Sequence, residues 1–360
     1  MYRQKAGFDS SHENVVINNK QCERIFAVEK KTVLYCAPID QPGNSGRYIM
    51  TGIEQAGLSV VGYDYRTNQN HEEDIFRILK KENPFYFFTQ KGESLSPALI
   101  SKIKDFGCVT IFWCFDAAMG DWYAPLAREH DFVLTNVEDH VFSLRKEGVR
   151  NVQWMHQGFA PDFFGITEVR NTPEGPCYAD VVMIGSMGTP IYKNRCESVI
   201  QLRKENIDIK WWGGRLARQP RNIRYFLGGI HRSWAGREVY MKDFADVIRH
   251  TKIFIGEDSD IPIRKRYLSN RSFAVMGCGG FYLCRRTPGI EYAFEIGKEL
   301  DVYETNDEMI EKIKYYLENE DERKTIALAG QKKVLEHYSY KKQMEKIFDW
   351  VNANYEGRAN

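Results

Sequence analysis

The chain has 360 residues, 43% of them hydrophobic and 13% aromatic, and a net charge of +1. That length holds two domains with separate cores, and that composition excludes a disordered chain. The near balance of charge argues against a general nucleic-acid binder, which carries a strong basic excess.

The opening "MYRQKAGFDSSHENVV" has no apolar core of signal-peptide length. No run is long enough to cross a bilayer, so a cytoplasmic protein is expected. The eight cysteines, Cys22, Cys36, Cys108, Cys114, Cys177, Cys196, Cys278 and Cys284, are scattered and form no C-x-x-C pair. They read as packed, reduced thiols, and no zinc site is expected.

The first 31 residues are compatible with a hairpin added to a sheet. From 32 to 155, short continuous apolar runs alternate with amphipathic segments. Strands are expected at "TVLYCAPI", "LSVVGYDY", "PFYFFTQ", "CVTIFWCF", "DFVLTN" and "VQWMHQ", with a helix between each pair. Continuous apolar strands between helices of about three turns mean a parallel sheet covered on both faces. The stretch 158–180, rich in Pro, Gly and polar residues, reads as a linker. A second series follows, with strands at "DVVMIGS", "IDIKWWGG", "KIFIGED", "FYLC" and "LDVYET", and helices at the C-terminus. The expected fold is α/β: two doubly wound, Rossmann-like halves facing a cleft at the carboxyl ends of their strands.

Candidate site residues follow from that cleft. "CAPIDQPGNSGRY" carries a Gly-containing loop, Gly43-Asn44-Ser45-Gly46, into a helix with Ser45 as its cap. Helix amides there suit an anion or a sugar hydroxyl, and a plain strand-to-helix turn explains the loop equally well. Its spacing is not G-x-G-x-x-G, which weighs against a dinucleotide enzyme. Asp116 stands just past the fourth strand, as a cleft carboxylate able to take a proton or hold a sugar; Asp121 reads as the cap of the next helix. His156 ends the last strand of the first half, as a catalytic candidate or a hydrogen-bonded structural histidine. Gly185, Ser186 and Gly188 repeat the loop in the second half, with Lys193 and Arg195 opening the next helix as a diphosphate cradle or as solvent-facing cations. Asn270 and Arg271 open a later helix that ends at Gly279-Gly280, where the missing side chains let a strand or ligand approach. The segment 215–232, with Arg215, Arg218, Arg221, Arg224 and Arg232, reads first as a solvated surface insertion. A flap over an anion and a nucleic-acid patch are its alternatives.

The order of motifs in 270–340 resembles the donor-binding half of GT-B glycosyltransferases. These motifs are the Asn-Arg turn, the helix ending in "CGG", "TPGIE", "DVYET" and the paired helices with "ALAG". Within GT-B it is most similar to the spore-maturation CgeB-like group, relatives of glycosyltransferase family 4. The first half fits through "NPFYFFTQKGESLSPALISKIKDFGCVTIFWCFD". The resemblance covers most of 32–350. It implies an acceptor-side domain over 1–165, a donor domain over 166–337, and a last helix over 338–360 that crosses back. It also implies transfer of a sugar from a nucleotide-diphosphate sugar, UDP-sugar favoured, with retention, without an essential metal or other cofactor, to an unidentified acceptor. The implied donor residues are Gly185, Ser186, Gly188, Lys193, Arg195, Asn270, Arg271, Ser272, Gly279 and Gly280, with Tyr240 and Met241 near the base. One departure stands out: the group's donor-ribose glutamate is Ala274 here. Glu257 or Asp258 would have to replace it, or the protein binds without turning over. A nucleotide-sugar epimerase is a further reading.

Overall fold

The computed structural model describes residues 31–355 apart from Pro42, Thr189 and 258–265. The N-terminal hairpin expectation, Cys22 and Asp258 lie outside the described residues.

The first sheet holds β1 (Thr32–Cys36), β2 (Ser59–Tyr63), β3 (Tyr86–Gln90), β4 (Val109–Cys114), β5 (Phe132–Thr135) and β6 (Val152–Trp154). Its order is β2-β1-β3-β4-β5-β6, and every pairing is parallel. All residues of β3 and β4 are buried, which is why these two strands are mostly apolar, with the polar Thr89, Gln90 and Thr110 each held inside the fold. Five helices connect the strands: α1 (Gly46–Gln55), α2 (His71–Glu82), α3 (Pro97–Asp105), α4 (Tyr123–Glu129) and α5 (Glu138–Lys146). Ser96 starts α3 by accepting from the Leu99 amide, with Pro97 in the first turn, where no amide is needed.

A short helix, α6 (Pro161–Phe164), and an irregular stretch lead to the second sheet. This holds β7 (Ala179–Ile184), β8 (Ile209–Trp212), β9 (Thr251–Gly256), β10 (Tyr282–Arg285) and β11 (Asp301–Tyr303), in the order β11-β10-β9-β7-β8, again all parallel. Its helices are α7 (Lys193–Lys204), α8 (Ile223–Leu227), α9 (Met241–Arg249), α10 (Asn270–Gly277), α11 (Asn306–Glu318), α12 (Glu320–His337) and α13 (Tyr340–Asn354). All eleven strands read from the sequence are present, and the fold is two doubly wound parallel sheets.

The final helix joins the two halves. Phe159 and the turn before α13 exchange main-chain hydrogen bonds: Phe159 N to Tyr338 O at 2.8 Å and Tyr340 N to Phe159 O at 2.9 Å. α13 then packs on the first sheet, with Phe348 against Tyr86 and Phe88 and Trp350 against Phe132. Gly52 of α1 makes the close approach possible, because a Cβ there would lie 2.9 Å from the Tyr340 backbone. One apolar core therefore runs from Val33 and Phe88 through Met344 and Ile347 to Phe273 and Met276. The loops at the carboxyl ends of the two sheets meet across a cleft. Gly43 faces the Tyr240 ring there, and His156 faces Phe273.

Candidate functional site

β7 ends at Ile184, and the chain turns at Gly185 with φ +144°. A Cβ on Gly185 would lie 2.9 Å from Arg271 Nη2 and 3.0 Å from Arg195 Nη1. A glycine is needed because two guanidiniums close on this backbone from different helices. Arg195, in the first turn of α7, is 4% exposed. Its Nε donates to the Glu257 carbonyl at 2.6 Å and its Nη1 to the Ser186 carbonyl at 3.0 Å. The guanidinium also stacks over Tyr192, 4.3 Å from the ring centre. Arg271, in the first turn of α10, donates to the same Glu257 carbonyl at 3.5 Å. These carbonyl acceptors help fix the two guanidiniums in place.

Glu257 explains how that carbonyl is held. Its carboxylate is buried and accepts from Arg285 Nε at 3.0 Å, Arg285 Nη2 at 2.8 Å and Ser198 Oγ at 2.7 Å. Both oxygens are spent inside the fold, so Glu257 supports the arginines and is not the ribose acceptor expected of it. Ala274 is 5% exposed in the core and offers no acceptor either.

The remaining donor candidates divide. Lys193 is the exposed first residue of α7, and Gly188, at φ +105°, accepts from the Tyr192 amide to close the loop before it. Asn270 starts α10 beside Arg271. Ser272 is buried, and its hydroxyl meets the Tyr282 hydroxyl at 3.0 Å, so it serves packing. Gly279 and Gly280 lie at the other end of α10, away from Asn270. A Cβ on Gly280 would lie 2.5 Å from Ile248, and the Gly279 carbonyl accepts from Thr172 Oγ1 at 2.6 Å. These glycines let α10 pack on α9 and play no part in the cleft. Tyr240 covers Gly43 across the cleft and donates to Glu238 at 2.7 Å, while Met241 holds a left-handed φ of +51°. Gly213, unremarked in the sequence reading, lets β8 pass the Gly185 carbonyl, 2.2 Å from where its Cβ would be.

On the facing wall, Gly43 has φ +81°, and Gly46 sits where a Cβ would meet the Pro38 carbonyl at 2.1 Å. Asn44 adjoins them and donates its amide to the Gln41 carbonyl. Ser45 precedes α1 but makes no side-chain cap. Its hydroxyl accepts instead from Gln90 Nε2 at 2.8 Å, and Gln90 Oε1 accepts from Tyr35 OH. Tyr340 of α13 reaches both sides, hydrogen-bonding Ser45 and donating to Asn270 Oδ1 at 3.4 Å. Asp116 lies past β4 and pairs with Lys91 at 2.9 Å, both half-buried. Asp121 does not cap α4, whose preceding residue is Trp122.

His156 is 6% exposed and ringed by Trp154, Phe273 and Tyr338. Neither ring nitrogen has a hydrogen-bond partner among the described residues, so the expectation of a hydrogen-bonded structural histidine fails. Burial, with help from Lys346 and Arg266, pushes its pKa down to about 3.

The sequence reading missed Lys91, Gln90, Arg285 and Tyr340. Only Lys91 left a signal, in the Lys-Gly that follows β3. The other three act through pairings that sequence order does not show.

Residues 195–349 match a family model described as glycosyl transferase-like. No curated protein matches the chain. Solved structures do. Sucrose-phosphate synthase from Thermosynechococcus elongatus superposes with a TM-score of 0.66 at 9% identity, over 91% of this chain and all of that one. A glycosyltransferase from Rickettsia africae gives 0.63 at 11% identity, over 91% and 100%. Anabaena HepE in complex with UDP-glucose gives 0.64 at 10%, over 89% and 99%. The fold is GT-B. Among the described residues, no helix is long and apolar enough to cross a membrane.

Proposed function

We propose that this protein transfers a sugar from a nucleotide-diphosphate sugar, UDP-sugar favoured, to an acceptor hydroxyl, with retention and without an essential metal. The observation that carries this reading is the convergence of the Arg195 and Arg271 guanidiniums, each from the first turn of a helix, on Gly185. The glycosyl transferase-like match over 195–349 and a structural neighbour complexed with UDP-glucose support it. We place the chain nearest the CgeB-like group on the motifs of 270–340.

In this reading the diphosphate lies against Gly185 and Ser186, with Lys193 at the edge. As the bond from the sugar's anomeric carbon to the phosphate oxygen breaks, negative charge gathers on the leaving diphosphate. The fixed guanidiniums and helix amides stabilise that charge without reorganising. The acceptor oxygen bonds to the anomeric carbon and gives up its proton. Asp116, paired with Lys91, is the carboxylate we assign to receive it. His156, with a pKa near 3, is too weak a base at neutral pH and acts by position.

Calorimetric titration with UDP, GDP, dTDP, ADP and CMP tests the reading. Micromolar binding of UDP, lost in Arg271→Ala with the fold intact, is expected. No binding of any nucleotide by the native chain would sink it. The burial of Ala274 favours one second reading, a relative that binds nucleotide sugar without turnover. UDP binding with no product across an acceptor panel would establish that alternative.

A further inference from the structure

The segment between Asp208 and Glu238 contains six arginines and no Asp or Glu, in a chain whose net charge is +1. Arg215, Arg218, Arg221 and Arg232 are exposed, and none of them makes an ion pair among the described residues. Arg224 is partly committed, to Glu197 at 3.1 Å. Amid this charge, α8 presents Ile223 at 61% and Leu227 at 83% exposure. The two are four residues apart, so they project from one face of the helix. Leu227 is the most exposed large apolar side chain among the described residues. A recess of about 300 Å³ opens beside them, floored by Trp211, Leu216 and Ile230 and rimmed by Arg215, Arg218 and His231.

A solvated insertion accounts for the arginines but not for two aliphatic side chains held out among them. A nucleic-acid patch would expose flat, stacking aromatics where Ile223 and Leu227 stand; the aromatics of the recess, Trp211, Phe226 and Trp234, are buried or half-buried instead. Aliphatic side chains at the tip, cations around them and indole rings just below match the layers of a bilayer surface: acyl boundary, phosphate, headgroup. We propose that this face docks the protein on an anionic lipid bilayer, with Ile223 and Leu227 entering the acyl boundary and the arginines binding headgroup phosphates. Leu216 packs beside Gly188, so docking would hold the Gly185–Gly188 loop close to the lipid surface. The docking does not depend on glycosyl transfer.

The test is co-sedimentation of the full chain with phosphatidylcholine vesicles, with and without about 30 mol% phosphatidylglycerol. Binding only to the anionic vesicles is expected, falling at least about tenfold between low and half-molar salt. Ile223→Ser/Leu227→Ser and, separately, Arg218→Gln/Arg221→Gln should each weaken it at least about fivefold. All four positions are exposed, and circular dichroism checks that the fold is kept. No sedimentation with anionic vesicles overturns the proposal. So does binding that ignores the Ile223/Leu227 change, and so does tighter binding to a single-stranded oligonucleotide than to vesicles. UDP affinity, measured on the same variants, reports separately on the cleft.

Discussion

The two walls of the cleft hold their polar groups by opposite means. On the second-sheet wall, charge is set by the main chain: Arg195 and Arg271 share the Glu257 carbonyl, and the Glu257 carboxylate is locked by Arg285. On the first-sheet wall, neutral groups are chained together, Tyr35 to Gln90 to Ser45, with ion pairs such as Lys91–Asp116 at the edge. A wall of pinned cations suits a ligand that is always anionic. A wall of hydroxyl and amide groups suits one rich in hydroxyls.

The largest expected effect tests that division. Arg271→Ala or Arg195→Ala should cut turnover about a hundredfold or more, equivalent to about 3 kcal/mol of transition-state stabilisation, and UDP affinity should fall with it. Lysine at either position should not restore activity, because it lacks the planar fork that reaches a carbonyl and a phosphate together. Ser45→Ala should leave UDP affinity within about twofold while lowering turnover by about tenfold or less. If Ser45→Ala weakens UDP as much as Arg271→Ala does, the division between the walls is wrong.

Glu257→Gln comes next and bears on stability. The change keeps the side chain's shape but leaves the Arg285 guanidinium without its buried counter-charge. Breaking a buried pair from one side costs about 3 kcal/mol. The urea midpoint should fall accordingly, with the slope unchanged. An unmoved midpoint would mean that the carboxylate does not hold this wall together.

His156 gives a pH-dependent test. Its folded pKa of about 3 lies below the ordinary value of 6.5, so the unfolded chain binds the proton more readily. Stability is therefore lost as pH falls below about 6.5, by roughly 2–3 kcal/mol between pH 7 and 4.5 from this residue. His130, pushed down to about 4 by burial, adds to the same loss. His156→Phe keeps an aromatic ring in the cage and removes two unpartnered nitrogens, so it should be neutral or stabilising at pH 7 and should flatten the acid limb. An unchanged acid limb would show that His156 does not carry it.

How much of this was legible follows from what each feature depends on. The strands were legible because burial on both faces demands mostly apolar runs, as in "VTIFWC", broken by a single Thr. Gly185, Arg195 and Arg271 were legible because each sits where a strand ends or a helix begins. Gly279-Gly280 misled because a glycine needed for packing looks in sequence like one needed for a ligand; only the contact with Ile248 separates them. Glu257 misled for a related reason. Its place at a strand end suggested the cleft, but its partners, Ser198 and Arg285, come from two other elements, and they turn it into a support. Tyr340 gave no signal because its role exists only once α13 has crossed to the first sheet, and Gln90 gave none because its partners, Tyr35 and Ser45, come from other elements of the first half.

Tyr340 carries the smallest of the expected effects and tests whether the two walls act together. Its ring fills the core between the sheets, so Tyr340→Phe preserves the packing and removes only a hydroxyl. That hydroxyl lies between Ser45 and Asn270 Oδ1, one from each wall. The hydroxyl also meets the Gly158 main chain, and each buried hydrogen bond lost costs about 1 kcal/mol. If the walls are coupled through it, the cost should appear in kcat for the transfer reaction, as a drop of about fivefold, while UDP affinity stays within about twofold. If the hydroxyl only stabilises the fold, the urea midpoint will move and kcat will not.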